Sequence, residues 1–201
     1  MRYLANRSSG RQGYAIAAAL AARGARVTLV SGPTALAPPP GVGYVPVETA
    51  CQMLAAAEAA CPADLAVLTA AVADWRAAVP AARKLKKQQG QPPAPLALVL
   101  NPDILAILSA PGPGRPALVV GFAAETDALI ENAAAKRRAK NCDWIVANDV
   151  GAEGGVMGGT QNQIHLITEA GTEAWPRLDK QEVADRLAAR IAAELASRIP
   201  A

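Results

Sequence analysis

Apolar and polar positions fall into two recurring patterns along the chain: alanine-rich amphipathic stretches, and short continuous apolar runs set off by glycine and proline. Residues 11–23 place Tyr14, Ile16, Ala17 and Leu20 on one helical face, with Gly24 positioned as a cap. A buried strand is predicted over 25–30, followed by the Ser31-Gly32-Pro33 turn and the Pro38-Pro39-Pro40-Gly41 loop. A short strand over 43–47 then leads into a helix over 49–60, and a third strand occupies 65–71. Between 73 and 95 periodicity fails, and Arg83, Lys84, Lys86 and Lys87 precede glutamines, glycine and prolines. That stretch reads as a long exposed flap, a candidate lid, with 96–100 pairing at its far end.

Asn101 before Pro102 is a good N-cap followed by proline at the first helical position, which predicts a short helix over 102–109. A strand over 117–122, a helix over 127–140 ending in basic residues, and a strand over 143–147 follow. The last part holds a glycine-rich loop over 151–159, a hairpin over 163–176 turning at 169–172, and a helix over 180–199. Buried apolar strands separated by helices predict the α/β class: a Rossmann-like three-layer sandwich around a mostly parallel sheet. The C-terminal β-hairpin is expected as an appendage beside the final helix. Residues 1–201 read as a single domain without internal repeats.

Composition narrows the function classes. Apolar residues make up 52% of the 201 positions but aromatic ones only 3%, and alanine supplies much of the difference, which favours closely packed helices over disorder. A net charge of +3 from 20 basic and 17 acidic side chains is too balanced for a dedicated nucleic-acid binder. The apolar runs are far shorter than a bilayer span, and the N-terminus has no signal-peptide core, so neither membrane nor export is expected. The three cysteines, Cys51, Cys61 and Cys142, are widely spaced, which suits a reduced, cytoplasmic protein with Cys142 half-buried. One histidine and no Cys-x-x-Cys pair leave no zinc ligand set, and His165 reads as a surface strand residue.

Chemistry-bearing residues cluster at predicted strand ends and helix starts. Asn6-Arg7-Ser8-Ser9-Gly10 enters a helix N-terminus whose free N–H groups suit a phosphate, although serine and glycine also make an ordinary helix start. Ala70-Ala71-Val72-Ala73-Asp74 lies at the carboxyl end of the third strand, where open α/β sheets bind ligands. Asp74 there suits a metal or nucleotide hydroxyls, or else a pairing with Arg76 or a turn cap. Lys84 to Lys87 make either a solvated basic loop or a charge that closes on a triphosphate. Asn101, Pro102, Asp103 and Ile104, the sole phenylalanine Phe122, and Lys136 and Lys140 one turn apart complete the set. Each alone fits a structural role; several polar strand ends together point to a ligand site.

In this order, Asn-x-Ser-Ser-Gly-x-x-Gly, Val-Thr-Leu-Val-Ser-Gly-Pro, Ala-Ala-Val-Ala-Asp-Trp, Lys-x-Lys-Lys, Asn-Pro-Asp-Ile, Val-Val-Gly-Phe-Ala-Ala-Glu-Thr and Ala-Asn-Asp-Val resemble the phosphopantothenoylcysteine synthetases over nearly the whole chain. The resemblance implies ligation of 4′-phosphopantothenate to L-cysteine in coenzyme A biosynthesis, with CTP as co-substrate, Mg2+ as cofactor and an acyl-cytidylate intermediate. It implies catalytic roles for Asn6, in the second half-reaction, and for Lys84, in charge neutralisation. Nucleotide contacts are implied for Ser9, Gly10, Ala70, Ala71, Asp74, Lys84, Asn101, Pro102, Asp103, Ile104, Phe122, Lys136 and Lys140, with Asp74 also at the metal. A homodimer is implied, with the flap reaching a neighbouring active site. In relatives a flavin-dependent decarboxylase precedes this half, and a strand ending in an Ala-Gly-Pro-Thr-like loop precedes the segment that begins here at Arg2.

Two other readings compete. A short-chain dehydrogenase shares the predicted sheet and first turn, but needs Tyr-x-x-x-Lys, and Tyr3, Tyr14 and Tyr44 are followed four residues on by Arg7, Ala18 and Glu48. A noncatalytic regulatory subunit would dimerise without binding CTP.

Overall fold

The computed structural model describes residues 4–79, 95–125, 127–149 and 161–198. Its first half contains α1 (Arg11–Ala22), β1 (Thr28–Ser31), β2 (Gly43–Pro46), α2 (Ala50–Ala59), β3 (Leu65–Leu68), β4 (Trp75–Ala77) and β5 (Leu98–Leu100). Then come α3 (Ile104–Ser109), β6 (Leu118–Glu125), α4 (Leu129–Lys140), β7 (Trp144–Asp149), β8 (Gln161–Asn162), β9 (Ile164–Ile167), β10 (Thr172–Ala174), β11 (Leu178–Asp179) and α5 (Lys180–Arg198).

Local chemistry accounts for many of the boundaries. The α1 helix ends where Gly24 donates its N–H to the Ala21 carbonyl. Thr49 and Gln52 form a reciprocal capping box that starts α2. Asp179 accepts the N–H groups of Gln181 and Glu182 at 2.9 and 2.8 Å, and the Glu182 carboxylate returns to the Asp179 N–H at 2.9 Å, so α5 begins the same way.

The main sheet has five strands in the order β10-β9-β7-β6-β3. β3, β6 and β7 run parallel, with Leu65 opposite Leu118 and Val120 opposite Trp144. β9 joins β7 antiparallel, and β10 joins β9 antiparallel. The hairpin expected as an appendage is therefore two strands of the central sheet, because β9 finds the edge of β7. β1 and β2 form a separate parallel pair, β4 and β5 an antiparallel pair, and β8 and β11 another. On one face of the main sheet Ile16 and Ala19 of α1 and Val183, Leu187 and Ile191 of α5 pack over Leu118, Val120, Trp144, Val146, Ile164 and Leu166. On the other face Leu105 of α3 and Leu129, Ala133 and Ala134 of α4 cover Val119, Ala123, Ile145, Ala147 and Ile167. The three-layer α/β sandwich is thus present, with β7 at the centre of its sheet. Among the described residues no helix is long and apolar enough to cross a membrane.

Several expectations need correction. The first strand is confined to Thr28–Ser31 and only Ser31 in it is buried, since its one partner is β2. The third strand stops at Leu68, so Ala70 and Ala71 lie beyond it in the connection to β4. The flap predicted from 73 carries a strand at its root, β4, which pairs with β5; residues 80–94, including Arg83, Lys84, Lys86 and Lys87, lie outside the described residues. The glycine-rich loop over 151–159 lies outside them too. His165 is partly buried rather than a plain surface residue: its register partners are Ala147 and Ala174, and its Nδ1 is buried with no hydrogen-bond partner among the described residues. Cys142 is 3% exposed rather than half-buried, and burial pushes its thiol pKa up, which keeps it protonated.

Asp143, just before β7, ties the sandwich together at the amino edge of the sheet. One carboxylate oxygen accepts the Val119 N–H and the Arg115 guanidinium, each at 2.8 Å, and the other accepts Arg198 at 3.0 Å. Arg198 also reaches the Ala117 carbonyl at 2.8 Å, so the last turn of α5 is fastened to the start of β6. Burial works to raise the Asp143 pKa, but the Val119 N–H, Arg198 and Arg115 outweigh it and hold the carboxyl below its ordinary range. A lowered folded-state pKa means that this stabilisation is complete above the unfolded value of about 3.9 and is lost as pH falls through the folded one. Asp143→Ala is expected to cost about 2 kcal/mol at pH 7 in urea unfolding, because it leaves partly buried donors unpaired. The gap between variant and parent should shrink as the pH is lowered below about 4; a gap that stays constant there would refute the carboxylate's role.

Candidate active site

Because β3, β6 and β7 run parallel, their carboxyl ends open onto the same side of the sheet, and the residues following them collect there. The approach to α1 joins this edge. Asn6 Nδ2 donates to the Val72 carbonyl at 3.1 Å, which brings Asn6 to the segment following β3. A Cβ at Gly13 would stand 2.5 Å from Thr69 Oγ1, so only glycine lets the first turn of α1 approach this closely.

Gly10 precedes α1 with φ +72°, and no side chain caps the helix. The turn rests on a hydroxyl chain the sequence did not reveal: Thr34 Oγ1 donates to Tyr14 Oη at 3.1 Å, and Tyr14 Oη donates to the buried Ser31 Oγ at 3.1 Å. Nothing in the spacing of Tyr14, Ser31 and Thr34 signals that they meet; only the pairing of α1 with β1 does.

Asp74 and Asn101 form the middle of the site. The Asn101 N–H donates to the Asp74 carbonyl at 2.8 Å, and Asn101 Nδ2 donates to the Ala73 carbonyl, also at 2.8 Å. Asn101 is thus not the helix cap expected of it. Asp103 takes that role, accepting the Ala106 N–H at 3.0 Å, and α3 begins at Ile104 rather than Pro102. The alternative pairing of Asp74 with Arg76 is not formed: the Arg76 guanidinium turns to the Leu100 carbonyl and to Asn101 Oδ1. Ile104 is buried, so its side chain faces the core and only its backbone is placed to meet a ligand.

Both lysines of α4 reach the neighbouring elements. Lys136 Nζ donates to the Phe122 carbonyl at 2.8 Å, and Lys140 pairs with the Asp103 carboxylate. Burial works to raise the Asp103 pKa, but the Lys140 hydrogen bond, the Ala106 N–H and the charges of Lys140 and Lys136 outweigh it and lower it. Phe122 is partly buried against the α1/α5 side of the core, so its ring is packing and its carbonyl is the group presented to Lys136.

The structure therefore joins Asn6, Asp74 and Asn101 through one short backbone segment, and links Asp103 with Lys140 and Phe122 with Lys136. It does not link Ser9 and Gly10 to Asp74 by direct contact, and Lys84 lies outside the described residues. No three His, Cys, Asp or Glu side chains converge on a metal position among the described residues. Asp74 is exposed, with no hydrogen bond or ion pair to its carboxylate among the described residues. One free carboxylate suits a magnesium ion that takes its remaining ligands from phosphates and water, as is usual for that ion.

The strand ends of this α/β sheet gather amide, carboxylate and lysine side chains on the side where open α/β sheets bind ligands. The chain matches the DNA/pantothenate metabolism flavoprotein C-terminal domain family over residues 1–195, and it belongs to that family. It is 46% identical over 189 residues to the coenzyme A biosynthesis bifunctional protein CoaBC of Escherichia coli K12, which covers 93% of this chain and 46% of that protein. The CoaBC protein of Mycobacterium bovis is 45% identical over 184 residues, covering 87% and 44%. The chain spans about half the length of these curated relatives. Among solved structures, the C-terminal domain of CoaBC superposes with a TM-score of 0.79 at 36% identity, covering 98% of this chain and 88% of that one. A Cab2 variant in complex with phosphopantothenate-cysteine shares the fold, with a TM-score of 0.74 at 18% identity over 98% of this chain and 81% of that one.

Gly10→Ala tests the first turn. The left-handed backbone is strained for alanine, and the new Cβ would lie 2.9 Å from Thr34 Cγ2. A loss of about 1–3 kcal/mol in chemical denaturation is expected; an unchanged midpoint would show that the turn relaxes freely.

Proposed function

We propose that the chain acts as one phosphopantothenate–cysteine ligase domain in coenzyme A biosynthesis, with CTP as the activating nucleotide. The observation that carries this reading is the tether from Asn6 to the Val72 carbonyl, two residues from Asp74 and one from the Ala73 carbonyl held by Asn101. It puts a residue suited to acyl transfer beside a segment suited to nucleotide binding. Family membership and the likeness to CoaBC support the same assignment.

A carboxylate has no leaving group that an amine can displace at neutral pH. In the proposed reaction a carboxylate oxygen of 4′-phosphopantothenate attacks the α-phosphorus of CTP and pyrophosphate leaves, giving an acyl-cytidylate. The cysteine amine then attacks the acyl carbon, CMP leaves, and the amine proton passes to solvent. The chain's contribution is positioning and charge neutralisation. Lys136 and Lys140 border the nucleotide with their ammonium groups, Asp103 orients Lys140, and the 101–104 turn lies against the Asp74 segment. Asn6 has two amide hydrogens; one holds Val72, and the other is left to donate to the acyl oxygen as charge develops there. Asp74 would hold magnesium, which supplies charge neutralisation to the triphosphate when bound. Lys84 would add a cation from the flap.

The test measures pyrophosphate release from CTP and magnesium with 4′-phosphopantothenate, with and without cysteine, with ATP in parallel. The parent is expected to release pyrophosphate with CTP and to form the amide once cysteine is added. Asn6→Asp should release pyrophosphate but form amide roughly a hundredfold more slowly, as for loss of an oxyanion donor. Lys84→Gln should suppress pyrophosphate release itself. A folded parent silent with both nucleotides would overturn the reading, and full amide formation by Asn6→Asp would remove that residue's role.

We also propose that the β4–β5 hairpin is covered by a second copy of the chain. Trp75, Leu98 and Leu100 are 51%, 45% and 70% exposed, a cluster of large apolar side chains that a monomer would leave in water. The parent is expected to elute with twice the mass of one chain in light scattering, and Leu98→Glu combined with Leu100→Glu should halve it. A monomeric parent would refute the assignment.

A further inference from the structure

We propose that Arg76 is a positioning residue for the nucleotide, acting through the amide of Asn101. The proposal rests on the nucleotide-binding reading of the site given above and adds a residue outside its contacts.

The geometry is a relay across the β4–β5 hairpin. Arg76 sits in β4 opposite Val99 of β5, and its Nη1 donates both to the Leu100 carbonyl and to Asn101 Oδ1, the latter at 3.2 Å. A guanidinium has donors only. It therefore accepts one orientation of the Asn101 amide, with the oxygen toward Arg76, because the flipped amide would set donor against donor. That choice leaves Nδ2 pointing the other way, to the Ala73 carbonyl at 2.8 Å. The Asn101 backbone makes a second link, from its N–H to the Asp74 carbonyl at 2.8 Å. Together the two bonds staple the 70–74 segment to the 101–104 turn.

Both stapled segments contain groups assigned to the nucleotide: Asp74 on one side, Asp103 with its Lys140 partner on the other. Without Arg76 the backbone bond remains, but the amide is free to turn, and the Ala73 carbonyl loses its fixed donor. The spacing of the two segments then becomes variable, and ordering it falls to the bound nucleotide, which weakens binding. Arg76 is exposed, so the fold itself depends little on it. Lysine keeps a donor-only cation in reach of the same acceptors and should retain the amide orientation, although it lacks the planar fork.

The experiment compares Arg76→Ala and Arg76→Lys with the parent in CTP-dependent pyrophosphate release, in calorimetric CTP titration with magnesium present, and in thermal melting. Arg76→Ala is expected to raise the KM and the Kd for CTP roughly tenfold, the worth of one charge-assisted hydrogen bond, with kcat changed less than about threefold. Arg76→Lys should recover most of that loss, and both variants should melt within a few degrees of the parent. CTP parameters for Arg76→Ala within twofold of the parent would overturn the proposal while leaving the ligase reading intact. So would a loss that appears only together with a collapsed melting transition, since that is a purely structural role. A parent that melts cooperatively yet neither binds nor turns over CTP would instead overturn the nucleotide reading, and the role of Arg76 with it.

Discussion

The parallel pairing of β3, β6 and β7 is the constraint from which most of the molecule follows. Parallel neighbours require crossover connections, and the helices of those crossovers must lie on the faces of the sheet. With α3 and α4 on one side and α1 and α5 on the other, the interior of β6 and β7 becomes apolar throughout. The polar groups are left to the carboxyl ends, where the backbone turns away from the sheet. The Asp74 segment, the Phe122 carbonyl and the loop leading into α1 are grouped by that geometry and not by their nearness in sequence.

Within the site, the cations are engaged before any ligand arrives. Lys136 is held by a backbone carbonyl and Lys140 by a carboxylate that also caps α3. These contacts restrict two long, flexible side chains, so part of the ordering entropy is met by the fold. Asp103 thereby has a double duty, fixing where α3 starts and where the Lys140 ammonium sits. A short helix with a proline just before it, Pro102, is a stiff way to transmit both.

Features encoded locally were legible in the sequence. The helix end marked by Gly24, the helix beginning at Thr49 and the hairpin turn between β9 and β10 all depend on residues within a few positions of each other. What could not be read depends on distant partners. The apolar run of β9 says that a strand exists, but not that it adds to β7. His165 read as a surface strand residue, but with helices on both faces of the sheet it is partly buried. Asn101 has the composition of a helix cap and is drawn off by the Ala73 carbonyl 28 positions away, leaving the cap to Asp103. The candidate site residues were recognisable by motif, but their grouping into an amide-stapled centre and two lysine contacts came only with the fold.

The fastening of α5 to the amino edge of the sheet also bears on how the chain folds. Arg198 closes contacts to Ala117 and Asp143 across 81 and 55 positions, and α5 shares one apolar cluster with α1. Such long closures are made late, because the intervening chain must first be ordered. Until α5 docks, Trp144, Val146 and Leu166 have only Ile16 and Ala19 of α1 from the helices over that face. During synthesis on the ribosome, the cover of that face is therefore completed only once α5, a nineteen-residue helix, has emerged.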